Sequence, residues 1–590
     1  MTDTTGIRTA TGRTGLDIVV RGAGVTGPAG PIVSGVDLRI GAGRTLAVVG
    51  ESGSGKSLTA QALSGLLAPG LSASGSVSFG DLSVDLAAPE SVWRPFRGST
   101  VALLLQDPFT SLSPVHRCGA QIAETLRAHS AGRGLTGRKL REAVAERLAE
   151  VNLPAHVARQ YPSELSGGMR QRVAIACAIA ADPLLLIADE PTTALDASTQ
   201  GEVLDLLARL QADRGMALLL ISHDLNLVRG RADSVAVMYA GGIVEEGPAA
   251  EVLTTPAHPY TSALRASNLS LEVRSARLPT IAGTVPRPGE ILAGCRFAPR
   301  CALATAECRT VPVPLEEIRS DWSLACIHST GPLPVPPVPE VLEAPGETGG
   351  EALLSVTGLT KTYGHRAAVE DASIVIGRGE SVGIVGESGS GKTTLARCIA
   401  GLAEADAGEI RFRGARLSAG LRGRDPLLIQ VVFQDPYSVL NPAMTVGQTL
   451  LEALGVARRP AADLEALLAD VGLTPDYRGK RPRDLSGGQR QRVAIARALA
   501  LRPELLICDE SVSALDVSVQ AQVLNLLTDL RERYGMTILF ISHDLAVVRH
   551  ITDRVYVMNE GRIVESGAGR DVLVDPQHEY TRKLVTAART

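Results

Sequence analysis

The chain has 590 residues, of which 45% are apolar, and a formal net charge of −4 at pH 7. This length predicts three or more domains with large buried cores. The mildly acidic balance argues against a nucleic-acid-binding surface. No apolar run approaches the roughly 18–20 residues that span a bilayer, and the N-terminus lacks a signal-peptide core. We therefore expect a cytoplasmic protein that reaches the membrane only through partners.

Residues 1–13 are polar and are predicted to be disordered. The first chemically distinctive string is GESGSGK, followed by a serine. It fits the phosphate-binding loop G-x-x-x-x-G-K-[ST], in which glycines let backbone N–H groups turn toward a triphosphate. The lysine adds a positive charge at the β- and γ-phosphates, and the hydroxyl suits Mg²⁺. The predicted nucleotide-binding residues of this loop are Gly50, Ser52, Gly53, Gly55, Lys56 and Ser57.

Two later strings in the first half extend this prediction. LSGG opens a predicted helix, so Ser166 and Gly168 offer a second anion site, although a simple helix cap is the alternative. LLLIADE ends a buried strand in two carboxylates, Asp189 and Glu190. The first suits Mg²⁺, and the second suits a general base that polarises the attacking water. The first half therefore predicts a nucleoside triphosphatase.

The same strings recur in the second half at a nearly constant offset. GESGSGK returns 336 residues after its first copy, and LSGG and the paired carboxylates return 320 residues after theirs. The repeat predicts two ATPase domains, at 14–265 and 351–590. The second set of predicted nucleotide-binding residues is Gly386, Ser388, Gly389, Gly391, Lys392, Thr393, Ser486, Gly488 and Asp509, with Glu510 as the general base.

Each half alternates short Leu-rich or β-branched runs with amphipathic segments, which predicts the α/β class. We expect two tandem P-loop ATPase domains, each with a mixed sheet, helices packed on it and a helical region. Between them lie a cysteine-rich extension at 266–330 and a Pro- and Gly-rich linker at 331–350.

The extension contains four of the eight cysteines, with the spacing C-x₅-C-x₆-C-x₁₇-C. A cytoplasmic location argues against disulfides, which leaves an iron–sulfur cluster, zinc or no metal. The spacing does not decide between them, because the short C-x₂₋₄-C pairs of zinc sites and the tight ferredoxin spacing are both missing. The candidate metal ligands are Cys295, Cys301, Cys308 and Cys326.

Together, the phosphate loops, LSGG strings and paired carboxylates resemble the ATPases of ABC transporters over about 500 residues. The resemblance implies that the halves pair head to tail, with each ATP between the phosphate loop of one half and the LSGG of the other. The first site would combine Lys56, Ser57, Gln106, Asp189, Glu190 and His223 with Ser486 and Gly488. The second site would combine Lys392, Thr393, Gln434, Asp509, Glu510 and His543 with Ser166 and Gly168.

The same resemblance assigns roles to residues that periodicity does not identify. Gln106 and Gln434, both in QDP, match the family's glutamine loop, which contacts metal and water and faces the membrane subunits. His223 and His543, both in ISHD, match the histidine that contacts the γ-phosphate. The implied magnesium ligands are Ser57, Gln106, Thr393 and Gln434, and the implied catalytic residues are Glu190, His223, Glu510 and His543.

The two halves differ at several positions where the family usually has the same type of residue. Tyr363, in LTKTYG, lies where the family stacks an aromatic ring on adenine, whereas the first-half stretch VRGAGVTGPAG has no aromatic residue. We therefore expect weaker ATP binding at the first site. Met169 replaces the usual Gln after LSGG, and Ser511 replaces the usual proline after DE. Both glutamates and both histidines are retained, so we expect two hydrolysis-competent sites. Asp196 and Asp516, in ALD, match the aspartate that crosses the family's dimer interface.

The strings AHPYTSAL, IAGTVPRPGE and GCRFAPRC resemble the C-terminal extension of peptide-importer ATPases. In that family four such cysteines bind a [4Fe–4S] cluster, so the resemblance favours this cluster over zinc. Its expected role is structural, with redox sensing as the alternative.

The chain thus resembles fused D-type and F-type ATPase subunits of a dipeptide/oligopeptide ABC importer. The resemblance implies ATP and Mg²⁺ as cofactors, and two membrane permeases and an extracytoplasmic substrate-binding protein as partners. It also implies a peripheral position on the cytoplasmic face of the membrane. Nickel, glutathione or another small solute is the alternative cargo. The Pro-rich linker, mild acidity and HPY–cysteine segment argue against a ribosome- or DNA-associated twin ATPase and against an exporter.

Overall fold

The computed structural model describes residues 16–129, 134–193, 195, 197–272, 274–290, 293–329, 331–333, 351–418, 420–421, 424–435, 439–513 and 515–589. The predicted disordered N-terminus, most of the predicted linker and Asp196 lie outside these residues. The chain divides into two compact units. The first unit comprises Met1–Leu195, Thr199–Ala266 and Ile281–Pro336, and the second comprises Asp196–Ser198, Ser267–Thr280 and Pro337–Thr590.

The first unit contains two sheets within its described residues. A four-stranded antiparallel sheet has the order β2-β1-β4-β5, and a larger mixed sheet has the order β11-β12-β10-β9-β3-β8-β7-β6. The strands are β1 Ile18–Gly27, β2 Gly30–Ile40, β3 Thr45–Val49, β4 Ser72–Phe79, β5 Leu82–Asp85, β6 Val101–Leu104, β7 Leu185–Asp189, β8 Ala217–Ser222, β9 Ser234–Tyr239, β10 Gly242–Pro248, β11 Glu316–Arg319 and β12 Trp322–Leu324.

Helices cover the mixed sheet and form the helical region that the sequence predicts. They are α1 Lys56–Leu63, α2 Glu90–Trp93, α3 Pro108–Ser111, α4 Cys118–Ala128, α5 Gly137–Glu150, α6 Gly167–Ile179, α7 Ala197–Arg214, α8 Leu225–Val228, α9 Ala249–Val252, α10 Pro259–Ala266 and α11 Glu307–Thr310.

The central strands of this sheet are parallel and fully buried, which explains their continuous Leu-, Ile- and Val-rich sequences. Their register pairs Val49 with Ser222 and Asp189 with Ile221. The chain therefore leaves β3, β7 and β8 at the same edge. The phosphate loop, the paired carboxylates and the ISHD string all follow those strand ends, where ligands bind in open α/β sheets.

The second unit repeats this arrangement. Its antiparallel sheet has the order β14-β13-β16-β17, and its mixed sheet has the order β18-β19-β20-β15-β21-β22. The strands are β13 Ala352–Tyr363, β14 Arg366–Gly377, β15 Ser381–Val385, β16 Ala407–Phe412, β17 Ala415–Arg416, β18 Ile429–Val432, β19 Leu505–Asp509, β20 Thr537–Ser542, β21 Arg554–Asn559 and β22 Arg562–Ala568. The prediction of two tandem α/β domains, each with a mixed sheet, is confirmed.

The helices of the second unit follow the same plan as those of the first. They are α12 Lys392–Ala400, α13 Val446–Val456, α14 Asp463–Asp470, α15 Gly487–Leu499, α16 Val517–Tyr534, α17 Leu545–Ile551, α18 Gly569–Val574 and α19 Glu579–Arg589.

Residues 267–280 belong to the second unit, although they precede its main body in the chain. The side chains of Leu269, Leu271 and Leu278 are buried in the second unit's core. The backbone of Leu278 exchanges two hydrogen bonds with the side-chain amide of Asn525 on α16, at 2.9 and 2.8 Å. The backbone N–H of Ser275 donates to Nδ1 of the His550 ring at 3.3 Å. Apolar burial and specific polar pairing thus both stabilise this segment.

Candidate functional site

Each phosphate loop bends tightly against the strand beside it. Gly50 has a φ of 151° and Gly386 a φ of 154°. A Cβ at either position would collide with a backbone carbonyl oxygen, that of Met238 in the first unit and that of Met558 in the second. Only glycine fits this approach, so both loops need the first residue of the motif for a steric reason.

The lysine of each loop is buried and folds back over the loop. Nζ of Lys56 donates to the carbonyl oxygens of Gly50 and Glu51 at 2.7 and 3.0 Å. Nζ of Lys392 donates to the carbonyl oxygen of Gly386 at 2.8 Å. Helices α1 and α12 begin at these lysines, so the positive ends of their dipoles lie beside the same loops. The loop, lysine and helix together suit a polyanion such as a nucleoside triphosphate.

A hydroxyl and a carboxylate lie side by side next to each loop. Oγ of Ser57 donates to Asp189 at 3.1 Å, and Oγ1 of Thr393 donates to Asp509 at 3.0 Å. Burial raises the pKa of Asp189 to about 6, against the opposing effect of the Ser57 hydrogen bond, and it also raises the pKa of Asp509. Two oxygen donors at this distance, one of them a desolvated carboxylate, are suitable ligands for Mg²⁺.

The second carboxylate of each pair contacts the predicted histidine. Nδ1 of His223 lies 3.1 Å from Glu190, which also accepts a hydrogen bond from Nε2 of Gln106 at 2.8 Å. Burial acts to raise the pKa of Glu190, but the hydrogen bond and charge of His223 outweigh it and lower that pKa to about 2. His543 lies 3.4 Å from Glu510 and lowers its pKa in the same way. Both glutamates are therefore ionised at neutral pH, as a general base must be.

Both glutamates have a left-handed backbone, with φ of 46° at Glu190 and 49° at Glu510. A non-glycine residue in this region costs about 1–3 kcal/mol, and such strain concentrates at functional sites. Their backbone N–H groups donate to the carbonyl oxygens of Ile221 and Ile541, at 3.0 and 2.9 Å. The neighbouring strand thus fixes the sharp turn that directs each carboxylate toward its histidine.

The LSGG strings cap two helices, but with different hydrogen bonds. In the first unit, Oγ of Ser166 accepts from the N–H of Met169 at 3.3 Å. In the second, Oγ of Ser486 accepts from the N–H of Gln489 at 3.3 Å, and the Gln489 side chain accepts from the N–H of Ser486 at 3.0 Å. This reciprocal capping box cannot form with methionine, because methionine has no carbonyl oxygen in its side chain. The second glycine of each string has a steric reason. A Cβ at Gly168 would collide with the side chain of Thr199, and a Cβ at Gly488 would collide with that of Val519, each on the next helix.

The adenine-stacking prediction falls on equivalent hairpin positions of β1 and β13. Tyr363 pairs with Arg366, and Gly27 pairs with Gly30, each pair closing a two-residue turn. Tyr363 is 52% exposed, whereas a Cβ at Gly27 would lie only 3.0 Å from the Ile32 side chain. The first unit therefore has an aliphatic surface where the second has an aromatic ring.

Gln434 lies two residues after β18 and is exposed, while Asp516 is the cap residue of α16. For the equivalent Gln106, the structure shows a hydrogen bond to the Glu190 carboxylate. Their predicted roles toward Mg²⁺ and the opposite half remain predictions.

The four predicted cysteine ligands lie around one small cavity, with Phe297 and His258 among the other lining residues. All four are free thiols, and Nε2 of His328 lies 3.1 Å from Sγ of Cys308, a contact that the spacing of the cysteines did not predict. Burial raises the pKa of the Cys295 and Cys301 thiols. In the described part of the chain, no group of three or more His, Cys, Asp or Glu side chains has a metal-binding arrangement. The structure thus gathers the four cysteines around one cavity.

One functional contact was missed by the sequence analysis. Glu51, inside the first phosphate loop, forms a salt bridge with Arg300, which precedes Cys301 in the chain. Both side chains are only 4% exposed. The sequence did contain a signal, because GESGSGK includes the acidic Glu51 and GCRFAPRC includes the basic Arg300. These strings were interpreted only through their motif residues and cysteines.

Comparison with known proteins places these features in a family. The ABC transporter family description matches residues 33–193 and 369–513, and that of the oligopeptide/dipeptide transporter C-terminal region matches residues 244–308. The oligopeptide transport ATP-binding protein OppD of Mycobacterium tuberculosis is 40% identical over 580 residues, covering 94% of this chain and 95% of that protein. The glutathione import ATP-binding protein GsiA of Escherichia coli is 40% identical over 578 residues, covering 92% of this chain and 84% of that protein.

No helix in the described part of the chain is long and apolar enough to span a bilayer. The ABC transporter matches include the phosphate loop, the LSGG string and the paired carboxylates of each unit, and the third match includes Cys295, Cys301 and Cys308. The chain belongs to the ATP-binding proteins of ABC transporters, and it combines two ABC ATPase domains with an oligopeptide/dipeptide transporter C-terminal region.

Proposed function

We propose that this ABC-type ATPase powers a dipeptide/oligopeptide importer. The observation that supports this most is the match of residues 244–308 to the oligopeptide/dipeptide transporter C-terminal region, beside two ATPase domains. The similarity to an oligopeptide transport ATP-binding protein extends over nearly the whole chain. Glutathione import is the second candidate, since a glutathione import ATP-binding protein is equally identical.

Each unit supplies its own set of groups for hydrolysis in this proposal. In the first, Lys56 exchanges its hydrogen bonds to the loop carbonyl oxygens for contacts with the β- and γ-phosphates, and Ser57 and Asp189 bind Mg²⁺. Glu190 accepts a proton from the attacking water, and His223 contacts the γ-phosphate. The roles in the second unit follow the same order, with Lys392, Thr393, Asp509, Glu510 and His543.

The remaining motif residues support a head-to-tail pairing of the two halves within one chain. Ser166 and Ser486 are exposed at the N-termini of helices of 13 residues each, which suits the binding of a second anion. We propose that each LSGG string completes the nucleotide site of the other half. Fusion of the halves would raise their effective concentration for one another.

The partners in this proposal are two membrane permeases and an extracytoplasmic substrate-binding protein. The ATPase would lie on the cytoplasmic face of the membrane and contact it through the permeases. The proposed domain limits are 14–265 and 351–590 for the ATPases, with the extension at 266–330 and the linker at 331–350.

The cysteines of the extension fit a [4Fe–4S] cluster in donor type, because four free thiols line one cavity. Cys295, Cys301, Cys308 and Cys326 would be the ligands, and zinc is the alternative. When bound, either group supplies cross-links between the 295–308 stretch and the chain that follows β12. Iron and sulfide analysis of anaerobically purified protein tests this: iron and sulfide in equal amounts support the cluster, and stoichiometric zinc supports the alternative.

The transport proposal is tested with the ATPase assembled with its permeases in vesicles. We expect the binding protein loaded with a di- or oligopeptide to stimulate hydrolysis and to drive uptake of labelled peptide. Glutathione and Ni²⁺ serve as competing cargoes. Uptake of glutathione without peptide uptake would replace the first candidate with the second.

A further inference from the structure

The phosphate loop of the first unit is contacted by the cysteine-bearing segment that follows the domain. The guanidinium of Arg300 donates to both carboxylate oxygens of Glu51, at 2.6 and 3.0 Å. These residues lie 249 positions apart in the chain, and both side chains are almost completely buried. A bidentate pair of this kind has a defined geometry as well as a favourable energy.

The surroundings of this pair fix both partners in place. Nε of Arg300 donates to the carbonyl oxygen of Ala282 at 2.7 Å, and its guanidinium also contacts the Tyr239 hydroxyl at 3.4 Å. The backbone N–H of Glu51 donates to the hydroxyl of Tyr260 at 2.8 Å. The loop residue is thus bound through its side chain and through its backbone, by groups that lie outside the loop.

A continuous set of contacts connects this pair to the cysteine cavity. Phe297 lines the cavity, and its ring lies 5.3 Å from the rings of both Tyr239 and Tyr260. Arg300 immediately precedes Cys301, which lines the same cavity. A change in the packing of this segment therefore reaches the phosphate loop through both the aromatic rings and the arginine.

Glu51 occupies a position where an unpaired carboxylate would be costly. It lies between Gly50 and Ser52, and its own carbonyl oxygen accepts a hydrogen bond from Lys56. A buried carboxylate without its partner must move toward water or be protonated, and in its ionised form it would repel a bound triphosphate. Either change displaces the loop that binds the nucleotide.

We propose that Arg300 is a positioning residue for the first ATP site, and that the cysteine-bearing segment thereby sets the nucleotide affinity of that site through Glu51. The inference rests on the ATP-binding role of the first phosphate loop and is independent of the transported solute. The second loop shares the tyrosine contact of this arrangement, because the hydroxyl of Tyr580 accepts from the N–H of Glu387 at 3.0 Å. Residues 351–590 contain no second copy of the cysteine-bearing string.

The test isolates the first site in a Lys392→Ala chain and measures equilibrium binding of a fluorescent ATP analogue with Mg²⁺. Arg300→Met is expected to weaken binding about tenfold, within the usual range of coupling between sites. Glu51→Gln is expected to weaken it less, since Arg300 keeps its bonds to Ala282 and Tyr239. The double variant removes both charges and is expected to bind within about threefold of the starting chain.

Two further variants separate positioning from loss of folding. Arg300→Lys keeps the charge but not the fork, so an intermediate affinity is expected. Arg296→Met is the matched control from the same segment, because Arg296 donates to the carbonyl oxygens of Ala240 and Ser34 and not to the loop. It should leave affinity within about twofold of the starting chain. Thermal unfolding midpoints of all variants report on folding directly.

Unchanged binding in Arg300→Met would overturn the inference, and so would a double variant that binds no better than Arg300→Met alone. If the Lys392→Ala chain itself binds no nucleotide, the first ATP site and its positioning residue fail together. Peptide transport can fail in vesicles without affecting any of these binding results, so the two proposals are distinguished.

Discussion

The two ATPase units place the same reactive groups in nearly the same geometry but support them differently. The hydroxyl–aspartate distances are 3.1 and 3.0 Å, and the histidine–glutamate distances are 3.1 and 3.4 Å. Outside this shared edge, the first unit has Gly27 where the second has Tyr363. The groups proposed for hydrolysis are therefore present in both units, whereas the residues at the position proposed to contact adenine differ.

The largest expected effect tests whether the duplicated chemistry is active in both units. A chain with both Glu190→Gln and Glu510→Gln should hydrolyse ATP at least about 100-fold more slowly, because each substitution removes the general base. Each single variant should lose half or more of the activity. Steady-state hydrolysis by the purified chain measures this, and retained binding of the ATP analogue is the control.

The ATPase rates of the single variants show whether both sites are active. If Glu190→Gln keeps the full rate while Glu510→Gln does not, the first site is degenerate despite its intact geometry. The opposite result would make the second site the inactive one.

The next effect concerns residues 267–280, which belong to the second unit. Burial and the charges of Arg549 and Arg274 lower the pKa of His550 from 6.5 to about 4, so the ring is neutral when it accepts the Ser275 N–H. When the segment detaches, the exposed His550 ring binds a proton more readily below pH 6.5, so stability of the segment falls as pH decreases from there toward 4. Each pH unit is worth at most about 1.4 kcal/mol, or tenfold in the opening equilibrium.

Amide hydrogen exchange of residues 267–280, corrected for intrinsic rates, measures this opening. We expect about fivefold more opening at pH 5.5 than at pH 6.5, because half of the exposed imidazole is already protonated at pH 6.5. His550→Asn keeps an acceptor that does not titrate, so its exchange should be independent of pH in this range. Equal pH dependence in both chains would exclude His550 as the cause.

These features differ in how far the sequence predicts them. The phosphate loop, Asp189 and His223 follow from local strings, because a short strand and the turn after it fix where each side chain lies. The pairing of Arg300 with Glu51 does not follow from any local string, since it depends on how a later segment packs on the loop. The two short strands β11 and β12 extend the first mixed sheet in the same way, through packing of a later segment. All four residues of β11 are exposed, and β12 has only three residues, so neither gives a strand pattern in the sequence.

Residues 267–280 illustrate a second limit. Their leucines predict burial but not the partner, because apolar burial is non-directional. The partner becomes specific only through polar groups such as Asn525 and His550, which lie about 250 or more residues later in the chain.

A smaller effect tests the difference in adenine contacts. Base–aromatic stacking contributes about 1–3 kcal/mol, so Tyr363→Ala should weaken nucleotide binding at the second site at least about fivefold. A Lys56→Ala chain isolates that site for equilibrium binding. Tyr363→Phe is the matched control and should bind nearly as well as the starting chain. If Tyr363→Ala binds normally, the ring does not stack on adenine, and Gly27 does not explain any difference between the sites.

The smallest expected effect concerns the capping of the LSGG helices. Gln489→Met should destabilise the N-terminus of α15 by about 0.5–1 kcal/mol, because it removes the reciprocal bond to Ser486 and the bond that the Gln489 amide donates to the Tyr477 hydroxyl. Met169→Gln should stabilise α6 by less, since Met169 packs against the apolar core and its replacement loses that contact. Amide exchange in the first turn of each helix measures both changes. A gain from Met169→Gln as large as the loss from Gln489→Met would contradict this, because it would show that neither the apolar contact of Met169 nor the bond between Gln489 and Tyr477 contributes to the difference.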